Sequence, residues 1–306
     1  MIYYNISELP HTFERAVIIN VGTNLITTLA VLSAIKYTDM PVLLIDCPLK
    51  IENSKDFLYF QNLMVKYKFD LISMPLLEHG STLDKIFCEI DSEYILLIDS
   101  DLEILNGSII PLMKNYIKPE NIFGTGFTQG PSKFDASAWI LKKDGYYEER
   151  LWIPFVLLKT SKIKNAIMDG KSFKLCIFYN FLPSSPKLSK WLLRKLPSIF
   201  DVHFFDFLKR DYHGKKPAFT MFDTGAKIYQ YLKYTKNYFF VGPNVDSGVE
   251  ADFVFHYNGM TRKQMYPDDS HNSITVDSMS ENIILRLKQK YNFDYNYDII
   301  YKTKNG

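Results

Sequence analysis

Five apolar residues in a row, Tyr94-Ile95-Leu96-Leu97-Ile98, stop abruptly on Asp99-Ser100-Asp101. A run this short with no polar alternation reads as a strand buried on both faces, and such strands belong to parallel sheets covered by helices. The chain before it keeps the same grammar. Ala16-Val17-Ile18-Ile19-Asn20-Val21 is a buried strand, and Gly22-Thr23-Asn24 a turn and cap. Leu25, Ile26, Leu29, Leu32 and Ile35 then recur at helical spacing. Pro41 breaks the chain before a second strand, Val42-Leu43-Leu44-Ile45, which ends at Asp46. Phe57, Phe60, Leu63, Met64 and Tyr67 mark a second helix, and Leu71-Ile72-Ser73 a short third strand. After His79-Gly80 the spacing predicts a helix over 82–90. This alternation predicts an α/β fold with a mostly parallel central sheet and right-handed crossovers. Ligands bind beyond the carboxyl ends of such strands, where Asp46, Asp99 and Asp101 lie.

The second half reads differently. Strands are expected at 122–126, 138–141, 238–241 and 253–257, and helices at 224–232 and 281–291. From 144 to 208 the pattern reads as mostly helical, interrupted at Pro183, Pro186 and Pro197. The chain is therefore divided at 1–125, at 126–275 with a helical insertion at about 144–216, and at 276–306, a last helix and tail.

Charge narrows the choices. The 306 residues carry 36 Lys/Arg and 34 Asp/Glu, a net of +2, which argues against a general nucleic-acid binder. The charge is uneven: 151–216 holds 13 basic residues against 4 Asp, and the remainder is net acidic. Lys187, Lys190, Arg194 and Lys195 surround Trp191, Leu192, Leu193 and Leu196, a short basic amphipathic stretch. It fits an anionic membrane surface, an acidic acceptor or an ordinary solvated helix face. Three cysteines without a CxxC pair form no disulfide framework and point to a reducing compartment. Met1-Ile2-Tyr3-Tyr4-Asn5 has neither the basic start nor the apolar core of a signal peptide. No apolar run approaches the ~20 residues a bilayer span needs. The expectation is a cytoplasmic protein, peripheral at the inner face of the membrane if residues 187–196 engage it.

Side chains at i and i+2 of an extended segment point the same way, so Asp99 and Asp101 aim two carboxylates at one place. Like charges that close repel unless a cation lies between them. Oxygen ligands select Mg²⁺ or Mn²⁺, whose remaining coordination is typically phosphate and water. The alternative is that the acids simply end the strand or cap the next helix.

The segment Tyr94-Ile95-Leu96-Leu97-Ile98-Asp99-Ser100-Asp101-Leu102-Glu103-Ile104 resembles the DxD region of nucleotide-sugar glycosyltransferases of the GT-A fold, in the style of glycosyltransferase family 2. The resemblance spans roughly 14–262, with the DxD block its one fairly specific part. It implies a Rossmann-like sheet flanked by helices, a nucleotide-sugar half at 1–125 and an acceptor half at 126–275. It also implies that Asp46, His79 and Asp84 line the nucleoside site, and that Asp99 and Asp101 hold Mn²⁺ or Mg²⁺ with the donor diphosphate. His256, closing Phe253-Val254-Phe255-His256, then completes the metal shell; a hydrogen-bonded core histidine is the plain alternative. Arg262 would reach a phosphate, and Trp139 would stack on a sugar or pack the core. Asp223, in Phe222-Asp223-Thr224-Gly225, stands where family members often carry Glu-Asp and a catalytic base, and half of that motif is missing. An Asp there is also a good helix N-cap.

The resemblance implies sugar transfer to a glycan or lipid-linked acceptor, with inversion if Asp223 is the base. Two rivals remain. A haloacid-dehalogenase-like phosphatase also places DxD after an apolar strand, with Asp268-Asp269 as its late acidic pair, but Glu103 stands where that family usually has Thr or Val. The other is a sugar-nucleotide-binding protein that has lost turnover.

Overall fold

The computed structural model describes residues 1–47, 54–75, 77–134, 145–179, 201–203, 219–257 and 273–295. The first half folds as β1 (Ile2–Tyr3), β2 (Thr12–Asn20), α1 (Asn24–Tyr37), β3 (Val42–Asp46), α2 (Ser54–Tyr67), β4 (Asp70–Ser73), α3 (His79–Glu89), β5 (Ser92–Asp99), β6 (Leu102–Ile104), α4 (Ile109–Tyr116) and β7 (Ile122–Gln129). Next come β8 (Ser132–Phe134), β9 (Gly145–Tyr147), β10 (Arg150–Lys159), α5 (Thr160–Met168), β11 (Cys176–Tyr179), β12 (Asp201–His203) and β13 (Phe219–Phe222). The chain continues with α6 (Ala226–Tyr234), β14 (Phe239–Val241), β15 (Val254–His256) and α7 (Ser273–Tyr291).

Eight strands form the central sheet in the order β1-β4-β3-β2-β5-β10-β7-β14. All neighbours are parallel except that β10 runs against both β5 and β7. Chain progression runs outward from β2 through β3 to β4, then jumps back to place β5 on the other side of β2. Right-handed crossovers then require the connecting helices to change face. They do: α1 and α2 supply Ile26, Leu29, Phe60 and Leu63 to one core, whereas α3 supplies Leu83, Ile86 and Phe87 to the other. Alternate residues of β5, Leu96 and Ile98 against Ile95 and Leu97, feed the two cores. The reversal between β2 and β5 is the topological switch point, and Ile19 pairs with Asp99 across it. This mostly parallel sheet between helical layers is the architecture the GT-A resemblance implied.

Among the described residues the expected helical stretch over 144–208 holds only at α5, since β9, β10, β11 and β12 are strands. Residues 145–147 and 150–159 are strands, and β10 lies inside the main sheet. Buried on both faces, it shows no polar alternation, so periodicity cannot separate it from a buried helix. Pro154 survives within it because the pairing with β7 shifts register between Leu151 and Val156, where a missing N–H costs no ladder bond. Side-chain parity flips there: Ile153 and Val156 face one core, Trp152 and Phe155 the other. Gly126 faces this irregularity at φ +143, and a Cβ would lie 2.7 Å from the Phe155 carbonyl oxygen.

Two boundaries also move. Glu78 accepts hydrogen bonds from the N–H groups of Gly80 and Ser81, so α3 starts at His79, and α7 starts at Ser273. A five-stranded sheet, β12-β11-β13-β9-β8, and a ribbon of β6 with β15 complete the fold. The predicted strand at 138–141, the basic stretch at 187–196, Trp139, Arg262 and Asp268-Asp269 lie outside the described residues. Among the described residues no helix is long and apolar enough to cross a membrane.

Candidate metal centre

β5 delivers Asp99 to the carboxyl edge of the sheet at the switch point. Ser100 and Asp101 then turn the chain out of the sheet into β6. That turn is pinned from the far end of the molecule: β15 pairs antiparallel with β6, His256 opposite Leu102, and Tyr257 N–H donates to the Asp101 carbonyl at 2.8 Å. The pairing brings His256 against both acids. Its Nε2 lies 3.1 Å from Asp101 Oδ1 and 3.7 Å from Asp99 Oδ2. One donor atom from each of the three residues falls within 4.8 Å of the others. Asp101 is buried, whereas Asp99 and His256 keep partial access to solvent. The imidazole is held edge-on by Trp152, ring centroids 5.6 Å apart at 83°.

Two carboxylates and an imidazole converging on one partly open point fit a hard or borderline divalent cation. The imidazole favours Mn²⁺ over Mg²⁺. Partial exposure of Asp99 leaves the open side that a substrate oxygen or water needs.

The remaining predicted site residues fall elsewhere, outside this cluster. Asp46 ends β3 fully buried, its Oδ1 accepting from Asn20 Nδ2 at 2.7 Å. Asn20 Oδ1 in turn accepts from the Thr23 N–H and the Thr27 hydroxyl, which ties the β2–α1 turn to β3. Asp84 faces the α5–β11 connection, accepting from the Ser172 hydroxyl and the Phe173 N–H; burial raises its pKa despite these bonds. His79 is exposed on the first turn of α3, after the carboxyl end of β4.

Asp223 stands between β13 and α6. Its Oδ1 accepts from Thr224 N–H at 2.8 Å, and its Oδ2 lies 3.3 Å from Arg150 Nε. The bond from Thr224 reaches only the next residue, and Gly225 occupies the N-cap of α6 with no side-chain cap, so the capping alternative is not met and the carboxylate is instead ion-paired. Arg150 and Trp152 share one face of β10, roughly 7 Å apart along the strand, which relates Asp223 to the strand that supports His256.

Sequence reasoning missed Trp152, because its segment read as helix, and Arg150 for the same reason. It also left Glu103 without a partner. This carboxylate is fully buried and accepts from Tyr257, Arg286, Lys290 and Tyr291. No spacing signal could have found it, since three of its partners are more than 180 residues away.

No protein-family model matches the sequence, and no curated protein matches it. Solved structures similar to the chain include a mannosyltransferase, PcManGT, from Pyrobaculum calidifontis in complex with GDP-Man and Mn²⁺, at 7% identity and a TM-score of 0.38. The match covers 51% of this chain and 47% of that one, so the chain spans about half the length of this neighbour. A 4-diphosphocytidyl-2C-methyl-D-erythritol synthase from Anaerococcus prevotii matches at 9% identity and a TM-score of 0.37, over 65% of this chain and 90% of the other. S. aureus TarS 1-349 in complex with UDP matches at 13% and 0.33, over 50% and 49%. Likeness this distant carries no functional weight, and the chemistry rests on the chain's own side chains.

Proposed function

We propose that this chain is a metal-dependent glycosyltransferase that moves a sugar, of the hexose type, from a nucleotide-sugar donor to a glycan or lipid-linked acceptor with inversion. One observation carries the reading: Asp99, Asp101 and His256 converge at the switch point of a mostly parallel sheet, although His256 lies 155 residues from Asp101. Asp99, Asp101 and His256 would hold Mn²⁺ or Mg²⁺. When bound, such an ion neutralises the charge of a departing diphosphate. The nucleoside is assigned to the carboxyl edges of β2–β4, with His79 at its margin. Asp46 shapes that floor through Asn20, and Asp84 holds the adjoining α5–β11 connection.

Asp223 is assigned the acceptor hydroxyl: it takes the proton as the oxygen attacks, while Arg150 keeps its carboxylate in place. The basic residues beyond β10 would face an acidic acceptor or an anionic leaflet, and residues 187–196 are the part assigned to a membrane at the cytoplasmic face.

The test is thermal stability of wild type and Asp101→Ala against a panel of sugar nucleotides and nucleoside diphosphates, with and without Mn²⁺. A ligand at about 100 times its Kd stabilises by ~2.7 kcal/mol. The expected result is a shift with one nucleotide that requires the metal and vanishes in Asp101→Ala. No shift with any nucleotide, together with release of phosphate from simple phosphoesters, would replace this reading by the phosphatase.

A further inference from the structure

Glu103 is 0% exposed, on a strand of three residues whose other two members, Leu102 and Ile104, are core. A carboxylate in that position is costly to bury unless charge and hydrogen bonds compensate it. Here four side chains do so. Lys290 Nζ donates to Oε1 at 3.0 Å and Tyr291 Oη donates to Oε1 at 2.8 Å. Arg286 Nε and the Tyr257 hydroxyl donate to Oε2. Tyr257 directly follows β15, and the other three belong to α7. One carboxylate therefore ties β6, β15 and α7 together.

The ribbon these groups clamp carries two of the three candidate metal ligands. Asp101 immediately precedes β6, and His256 closes β15. Three residues per strand is too short for such a ribbon to hold its own register without a packed face. One side is supplied by the core through Leu102, Ile104 and Val254. On β6 itself the remaining side chain is Glu103, which faces α7. A buried ion cluster is an inefficient way to gain stability compared with apolar packing, whereas its directional bonds fix position. We infer that Glu103 is a positioning residue for the Asp99–Asp101–His256 centre, and that α7 holds the centre in shape through Arg286, Lys290 and Tyr291.

This inference rests on the metal reading above, and its test separates the two. Mn²⁺ binding is measured by the electron paramagnetic resonance of the free ion, on the full chain, for wild type, Asp101→Ala, Glu103→Gln and Tyr291→Phe. Circular dichroism and the unfolding midpoint in EDTA report the fold of each protein. Wild type binds Mn²⁺ and Asp101→Ala does not; failure of either overturns the metal reading and this inference with it. Folded Glu103→Gln is expected to bind about 10–100-fold more weakly, the usual loss when a group behind the ligands is removed. Tyr291→Phe, which deletes one hydroxyl, is expected to fall between the two, with an altered spectrum of the bound ion. A purely structural role would lower the midpoint and leave the affinity of the folded fraction at the wild-type value. That result overturns the inference, and should Glu103→Gln not fold, the same result for Tyr291→Phe overturns it.

Discussion

Replacing Asp99 by Asn separates the metal-binding role of the acid pair from any structural one, because the two predict opposite signs. The candidate ligand atoms lie within 4.8 Å of one another. Two unit negative charges at that separation repel by ~3.5 kcal/mol at an effective dielectric of about 20. The Asp99 side chain is 32% exposed and that of Asp101 8%, so water screens part of this and about 1–2 kcal/mol is left. The comparison is made at pH 8, above the ordinary imidazole value of ~6.5. Asp99→Asn keeps the shape and removes one charge. In EDTA the variant should therefore be as stable as wild type, or up to about 2 kcal/mol more stable. In Mn²⁺ at about 100 times its Kd the wild type gains ~2.7 kcal/mol and the variant gains much less. The order of stability reverses on adding metal. Urea unfolding in the two buffers reads it directly. A variant that is less stable in EDTA by more than ~1 kcal/mol would show that Asp99 holds the fold rather than an ion. An undiminished Mn²⁺ shift would place the metal elsewhere.

Three further outcomes are expected. Arg15 is fully buried and pairs with Asp70 at 2.7 Å, so Asp70→Ala should cost about 3–5 kcal/mol in urea unfolding, most of it recovered when Arg15→Met is added; a loss under ~1 kcal/mol, or no recovery, would refute the pairing as described. Burial and then the neighbouring Asp46 push the Cys47 thiol up to about 12, and Cys176 is buried, so at pH 8 a thiol reagent should label Cys88 alone until the chain is unfolded. The raised Cys47 value also means that stability is full below pH ~9 and declines as pH rises towards 12, with Cys47→Ala flattening that decline.

What the sequence made legible was local. The run ending at Asp99, the strand ending at Asp46 and the helix begun after Gly22 each carry their signal within a dozen residues, and all three fold as expected. The carboxyl-end placement of Asp46 and Asp99 followed from their order, whereas the switch point between β2 and β5 came only with the strand order in space. β10 stayed hidden because full burial erases the alternation that marks a strand, and because Pro154 argues against one unless a register shift accommodates it. The candidate metal cluster was half legible. Asp99 and Asp101 announce themselves by spacing, whereas His256 had only its position at a strand end. Asp84, placed beside a nucleoside by resemblance, is engaged by Ser172 and Phe173, residues nearly ninety positions away that no local pattern pointed to. Glu103 needed tertiary structure altogether.

The separation of 155 residues between Asp101 and His256 has a consequence in time. At about 5–20 residues per second, a ribosome delivers the acid pair roughly 8–30 s before the imidazole that joins it. The strands β2 to β5 can pair during that interval, since all of their mutual partners have by then been made. The ribbon of β6 with β15 cannot, and the clamp on Glu103 waits longer still for Tyr291. A nascent chain halted anywhere in that window therefore exposes two carboxylates with no histidine to complete the cluster. The candidate centre is thus complete only once β15 has been made, and its supporting clamp only once α7 has followed.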